Sequence, residues 1–293
     1  MVAEVLGHLA PSRGGLFVDC TVGLGGHARA LLDAGASRVI GIDRDRAALA
    51  LAGEALGAYG DRVELAHGDY RALAQLLDAR GVAGVDGLIA DLGVSSMQLA
   101  SARGFSFRRD EPLDMRMDTS SGETAAGMIA AADEQALADV IYEFGEERHA
   151  RRVARAIVAA RKDAPIETTG RFADIVRRAI PRKGYSRIDP ATRTFQAIRI
   201  WVNRELEGLD VFLAQSAGRL NAGGRLAVIT FHSLEDRIVK HTLRALQSEG
   251  RLTVRTKRPD VPSEAEIERN PRARSAKLRA AERPADAGPG VSP

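Results

Sequence analysis

Apolar positions in the first ninety residues fall into short runs separated by helix-patterned stretches. Residues 16–21 (Leu16-Phe17-Val18-Asp19-Cys20-Thr21) read as a buried strand, followed by glycines at 23, 25 and 26 and a helical stretch to Ala34. Residues 38–43 predict a second strand and 45–58 an Ala- and Leu-rich helix. Residues 62–66, 70–79 and 85–91 repeat the strand, helix, strand order. Such alternation with short turns predicts a parallel sheet covered on both faces, with ligands beyond the carboxyl ends of its strands. The pattern then changes. Residues 103–122 are irregular, and 148–162 predict an amphipathic helix whose apolar stripe is Ala150, Val153, Ala154, Ile157 and Val158. Residues 169–180 repeat that design. Asp189-Pro190 predicts a helix start, with Asp as cap and Pro at the first helical position, and the helix should run to about Glu207. Residues 220–224 read as a helix end and turn, 225–231 as another buried strand, and 233–246 as a helix. In the polar tail, 251–255 and 275–279 could form an antiparallel edge pair, and the last ten residues are expected to be disordered.

The chain is long enough, at 293 residues, for one large domain or two modest ones without staples. A single cysteine, Cys20, excludes a disulfide framework and a Cys-based zinc site within the chain. No apolar run approaches the ~18 residues of a membrane span, and the first residues lack a signal-peptide pattern. A soluble, cytoplasmic protein without a membrane partner is therefore expected. Net charge is only +3, but residues 148–204 hold 15 Lys+Arg against 4 Asp+Glu, so they carry +11 and the remainder −8. A basic segment in an acidic chain suggests a polyanion surface. The alternative is a solvated helical face, and 37 arginines against 5 lysines warn against reading each Arg as functional. Aromatic residues at 4% disfavour a sheet that stacks several bases.

The turn Asp19-Cys20-Thr21-Val22-Gly23-Leu24-Gly25-Gly26-His27 joins first strand to first helix. Glycine there lets backbone approach a ligand, and a helix N-terminus offers unpaired N–H groups. Asp43 ends the second strand, where a carboxylate can accept ribose hydroxyls. The pair fits an adenosine cofactor, although Gly23-x-Gly25-x-x-Ala28 by itself is also compatible with a dinucleotide or with a ligand-free turn. Asp19, Asp43, Asp69 and Asp91 lie near strand ends, and such an acidic rim suits the sulfonium of S-adenosylmethionine (SAM) better than a pyrophosphate.

Longer motifs follow: Asp91-Leu92-Gly93-Val94-Ser95-Ser96-Met97-Gln98-Leu99, Arg103-Gly104-Phe105-Ser106-Phe107, Pro112-Leu113-Asp114-Met115-Arg116-Met117-Asp118 and Tyr142-Glu143-Phe144-Gly145-Glu146-Glu147-Arg148. Residues 190–200, Phe231-His232-Ser233-Leu234-Glu235-Asp236-Arg237 and Asn270-Pro271-Arg272-Ala273-Arg274-Ser275 close the series. On these residues the chain resembles the MraW family of bacterial 16S rRNA methyltransferases, from about Asp19 to Arg283. The resemblance implies a class I SAM-dependent methyltransferase fold (α/β, Rossmann-like, mostly parallel and seven-stranded) with an inserted helical domain. It implies SAM as cofactor, 16S rRNA of the small ribosomal subunit as partner, and methylation of N4 of cytidine 1402. Its cofactor positions are Gly25, Gly26, His27, Asp43, Tyr70, Asp91 and Gln98; Tyr70 stands where many relatives have Phe. A His-x-Pro-Val-Leu segment common in relatives before the Glu4-Val5-Leu6 position is lacking, which touches the ligand rim.

These readings give a cofactor domain over 1–103 and 190–283, a helical insertion over 104–189 and a tail over 284–293. Asp91 is the candidate acceptor for the target amine, or else only a cofactor contact. Phe105 or Phe107 could stack on a splayed base. Asp114, Arg116 and His232, with Asp118, Glu235 and Asp236, are expected to border the nucleotide pocket, the competing role being loop bracing. Arg148, Arg152 and Arg182, with Arg151, Arg155, Arg177, Arg178 and Lys183, are expected to grip phosphates. His232 and His241 without a cysteine predict no metal site. The competing functions are a nicotinamide-dependent oxidoreductase and a catalytically silent RNA-binding or assembly protein.

Overall fold

The computed structural model describes residues 1–181 and 189–285. Arg182, Lys183 and most of the 284–293 tail lie outside the described residues. In chain order the helices are α1 (Val2–Leu9), α2 (Gly26–Asp33), α3 (Arg46–Leu56), α4 (Leu73–Asp78), α5 (Ser96–Ala100) and α6 (Ala125–Ala131). They continue with α7 (Glu134–Gly145), α8 (Ala150–Asp163), α9 (Thr169–Ala179), α10 (Ala191–Asn203), α11 (Leu209–Arg219), α12 (Ser233–Ser248) and α13 (Glu264–Arg269). The strands are β1 (Leu16–Asp19), β2 (Arg38–Asp43), β3 (Val63–His67), β4 (Val85–Asp91), β5 (Leu220–Thr230), β6 (Thr253–Val254) and β7 (Lys277–Glu282). Two compact units result: Met1–Gly93 with Leu206–Pro293, and Val94–Glu205.

The first unit is a seven-stranded sheet in the order β3-β2-β1-β4-β5-β7-β6. Strands β1 to β5 run parallel to their neighbours, whereas β7 pairs antiparallel with both β5 and β6. This mostly parallel seven-stranded sheet agrees with the fold that the resemblance implies. Side chains alternate between the faces with period two, as a sheet buried on both sides requires. Val18, Ile40, Leu88 and Val228 face a core with α4, α11 and α12, built on Leu77, Phe212 and Leu243. Phe17, Val39, Ile89 and Ile229 face a second core with α1, α2 and α3, built on Leu9, Leu31 and Leu56.

One expectation is corrected here. Strand β5 begins at Leu220, directly after α11, because Leu220 already pairs with Val85 across an irregular register. The antiparallel edge pair expected from 251–255 and 275–279 forms as β6 with β7 at one end of the sheet, where two-residue β6 is the outer strand and Leu278, Ala280 and Ala281 of β7 are fully buried.

The second unit is helical, and its core joins Leu113, Ile141, Val153, Ile157, Phe172 and Phe195. Helix α10 belongs to it, since Ala191, Phe195 and Ile198 are buried in this same core. The boundaries expected at 104 and 189 therefore fall inside the unit. Asp189 Oδ1 accepts the N–H of Ala191 at 2.8 Å, and α10 stops at Asn203 because Arg204 turns left-handed at φ 51°. Buried Asn203 ties the helix end to an irregular loop: its Oδ1 accepts the Met117 N–H at 2.8 Å, and its Nδ2 donates to the Met115 carbonyl at 2.7 Å. Met115 is itself strained at φ 61°, so the side-chain bonds hold a conformation the backbone disfavours. Asn203→Ala should lower the unfolding free energy by about 1–3 kcal/mol, because two buried backbone groups lose their partners. Chemical denaturation of the two proteins reads this directly, and equal stability would deny the brace.

Candidate functional site

Three parallel strands end on an aspartate: Asp19 closes β1, Asp43 closes β2 and Asp91 closes β4. Side chains here flank the crevice that a parallel sheet opens beyond its carboxyl ends. Asp19 is the deepest, at 1% exposure. Its Oδ1 accepts the Thr21 N–H at 3.2 Å, and its Oδ2 is buried without a partner among the described residues. Burial pushes its pKa from 3.8 up to about 6, against the pull of His27 and the Thr21 N–H and with added push from Asp91 and Asp43. Asp43 is likewise raised by burial, although its oxygens accept the N–H groups of Gly23 (2.8 Å) and Asp45 (2.9 Å). Each oxygen retains a further lone pair, so a pre-oriented carboxylate can still accept ligand hydroxyls.

The glycine turn lies between these carboxylates. Gly25 caps α2 at φ 84°, a conformation that favours glycine, and a Cβ there would sit 2.9 Å from Leu56. Gly26 is different: a Cβ would meet nothing within 4 Å, so its missing side chain leaves open space at the start of the helix. His27 follows on the first turn of α2, with Nε2 3.5 Å from Asp91 Oδ2. Burial pulls its pKa down, but Asp91 and Asp19 outweigh burial, and the net shift is upward. His27 Nδ1 and Asp91 Oδ1 are both buried without hydrogen-bond partners. The Asp91 backbone N–H is anchored on Thr21 Oγ1 at 2.7 Å.

The arrangement is thus one buried and two half-buried carboxylates and one imidazole, with three unmatched buried polar atoms. Unmatched buried groups of this kind are costly unless something pairs with them. Asp19 Oδ2 and Asp91 Oδ1 suit a cationic group. The His27 ring, the open face at Gly26 and the amino end of α2 suit a carboxylate. Both ends of a sulfonium amino acid therefore find complementary chemistry in residues already present.

Asp69 does not join the free acidic rim. Burial raises its pKa, but bonds from the Arg71 side chain and N–H outweigh that, and the net shift is downward. Arg71 Nη2 and Nε grip both its oxygens, and Arg44 lies 3.7 Å away. Tyr70 packs edge-on against Phe212, centroids 4.7 Å apart, so its ring is held rigidly after β3. His232 caps α12, its Nδ1 accepting the Glu235 N–H at 3.4 Å. Its Nε2 lies 3.1 Å from Glu235 Oε1, out of alignment for a hydrogen bond, and is left buried without a bonded partner. Glu235 is buried and also accepts the Phe231 N–H at 2.9 Å. Asp236 instead carries a structural pair, taking Arg279 at 2.7 Å and Lys277 at 3.2 Å.

In the second unit the expected site residues divide by environment. Gln98 closes a capping box: its Oε1 accepts the Ser95 N–H at 3.0 Å while Ser95 Oγ accepts the Gln98 N–H at 3.1 Å. Phe105 is buried, with the Arg103 guanidinium 5.8 Å from its ring centre. Phe107 packs on Phe195 at 4.7 Å, which makes it part of the helical core. Asp114 and Arg116 form a two-pronged pair, at 2.7 and 2.9 Å, and Arg116 also donates to the Thr119 and Gly122 carbonyls. This pair braces the loop. Arg177 is bound by Asp174 and Asp189. Arg148, Arg151 and Arg152 are exposed and make no ion pair among the described residues. Arg155 is exposed beside Glu134 at 3.5 Å.

Asp19, one of the four strand-end acids, is singled out from them only by its burial, and Thr21 enters only through its bond to the Asp91 N–H. Asp19 sits inside an apolar strand run, and nothing in its spacing sets it apart from Asp43 or Asp91. A carboxyl whose folded pKa lies above its ordinary value favours the protonated folded form. Asp19 therefore contributes most stability below about pH 4, and that contribution falls away as pH rises to about 6. Asp19→Asn should be more stable than the parent above pH 6 by up to about 3 kcal/mol, with the gap closing toward pH 4. Denaturation of both proteins at pH 4, 5, 6 and 7 measures it; a gap independent of pH would contradict the buried charge.

A family model described as the MraW methylase family matches residues 1–284. Ribosomal RNA small subunit methyltransferase H of Geotalea uraniireducens is 48% identical over 302 residues, covering 97% of each chain. The protein of that name from Synechococcus elongatus is 52% identical, covering 96% of this chain and 92% of its own. Solved structures are more distant. An rRNA methylase from Streptococcus thermophilus is 13% identical with TM-score 0.43, covering 95% of each chain. A SAM-dependent O-methyltransferase from Thermotoga maritima is 12% identical with TM-score 0.40, covering 97% of this chain and 64% of its own.

Proposed function

This chain belongs to the MraW methylase family, and from that premise we propose that it is a SAM-dependent methyltransferase acting on N4 of cytidine 1402 in the 16S rRNA of the small ribosomal subunit. The observation that carries the cofactor half of this reading is the set of unmatched atoms at the strand ends: Asp19 Oδ2, Asp91 Oδ1 and His27 Nδ1. A redox dinucleotide would bring a pyrophosphate toward these carboxylates, where like charges repel. A cationic sulfonium amino acid is attracted instead. The methyltransferase names of the relatives support the same choice and favour rRNA as the acceptor.

In this reading Asp43 accepts the ribose hydroxyls, held ready by the Gly23 and Asp45 N–H groups. Gly25, Gly26 and His27 receive the amino-acid end, and Tyr70 offers a flat ring to adenine. SAM supplies a methyl group on a sulfonium, electrophilic enough for transfer to a nitrogen lone pair, with sulfur as leaving group. The protein's task is to activate a poor nucleophile, since the cytosine amine shares its lone pair with the ring. Asp91 Oδ1, buried and without another partner, accepts an amine N–H, concentrates the lone pair on nitrogen and passes the departing proton to water. Orientation supplies much of the remaining acceleration. In the second unit Phe105 offers a face for a base, and Arg148, just before α8, and Arg152, on α8, without ion pairs among the described residues, hold phosphates; in the first unit His232 offers a polar contact to the nucleotide.

The decisive experiment maps methylated cytosines in small-subunit RNA from cells with and without the protein. Loss of N4 methylation at cytidine 1402 alone is expected; an unchanged map would end the proposal. Asp91→Ala should lower turnover about 100-fold or more, whereas Asp43→Ala should mainly weaken SAM binding. Full turnover by Asp91→Ala in a single-turnover assay would remove Asp91 from the chemistry.

A further inference from the structure

The acidic remainder of the chain is not uniformly acidic. Residues 237–258 contain seven Lys+Arg and one acid, Glu249. They comprise most of α12, the edge strand β6 and the loop beyond it, all in the first unit. A cavity of about 330 Å³ opens there between α12 and the sheet edge, lined by Lys240, Arg244, Gln247, Lys257 and Arg279 around an apolar wall of Leu243 and Val254. We infer that this cavity is a second phosphate-binding site, taking a backbone phosphodiester of the RNA substrate with its ribose against the apolar wall. The source of that phosphate rests on the RNA reading above.

Six of the cations in and beside the cavity divide by their partners. Arg251 pairs with Glu249, Arg255 with Glu282 and Arg279 with Asp236. Those side chains serve the fold. Lys240, Arg244 and Lys257 make no ion pair among the described residues, yet they converge on one concavity. Three like charges around one hollow repel one another, and a phosphate relieves that repulsion. Gln247 adds a directional donor: its Oε1 is held by the Val254 N–H at 2.8 Å, which leaves the side-chain NH₂ to the ligand. The volume exceeds a bare phosphate and falls in the range of small-ligand sites, so a nucleotide-sized unit fits. The apolar wall distinguishes the site from a solvated basic face. Helix α12 starts beside the carboxyl end of β5, and Lys240 lies about 10 Å along it from Ser233. An RNA strand engaged at His232 thus meets these cations within a few nucleotides.

The test uses the full-length protein and the triple variant Lys240→Ala/Arg244→Ala/Lys257→Ala, with Arg148→Ala/Arg152→Ala for comparison. In the triple variant SAM affinity, melting temperature and turnover at saturating RNA should match the parent. The KM for a small-subunit RNA substrate should rise at least tenfold, and the slope of log affinity against log salt should shrink by about 1. An unchanged KM and salt slope in the folded triple variant overturns the site. Inorganic phosphate is titrated in parallel. Phosphate binding lost in the variant while RNA affinity stays constant would assign the cavity to a free small anion and overturn the RNA occupant. A parent protein that binds RNA with the expected slope difference but transfers no methyl group would refute the enzymatic reading and leave the phosphate site standing.

Discussion

The structure turns on one buried and two half-buried carboxylates at the carboxyl edge of the parallel strands. Asp19, Asp43 and Asp91 close adjacent strands, and burial raises the pKa of the first two. The sheet order places them side by side because β1 lies between β2 and β4. His27 offers one compensating charge, 3.5 Å from Asp91. It leaves the Asp19 Oδ2 and Asp91 Oδ1 oxygens unmatched. A fold selected for stability alone would have no use for such a cluster, whereas a site for a cationic ligand depends on it.

Around that cluster the first unit is conventional packing. Two apolar cores cover the two faces of the sheet and hold the strand ends rigid. Thr21 fixes the backbone of Asp91, and the Gly23 N–H fixes the carboxylate of Asp43. The acids are thus preorganised by main-chain bonds, which cost nothing to rearrange when a ligand arrives.

Arginine is used in two ways throughout the molecule. Arg116 on Asp114, Arg177 on Asp189 and Arg199 on Glu205 brace loops and helix ends, each through short paired contacts. Arg148 just before α8, Arg151 and Arg152 on α8, and Arg244 on α12 have no such partner among the described residues and stand open to solvent. Only the unpaired set adds to an attractive field for a polyanion, so net charge by itself overstates the nucleic-acid surface. The distinction depends on which carboxylate lies within reach in space, as Asp189 does for Arg177 twelve residues away.

The sequence by itself determined strands β1 to β5 and helices α2–α4, α8–α10 and α12, since two-residue and helical periodicities are local properties, whereas α1 and α5–α7 were not read from it. It also determined the glycine turn, Asp43 and Asp91 as strand-end groups, and the family resemblance carried by long motifs. Tertiary structure decided the rest. It moved α10 into the helical unit, because the burial of Phe195 and Ile198 depends on residues far away in sequence. It placed β7 inside the sheet, because pairing with β5 joins segments some fifty residues apart. It neutralised Asp69 with Arg71 and singled out Asp19, because desolvation depends on what surrounds a side chain rather than on its neighbours along the chain.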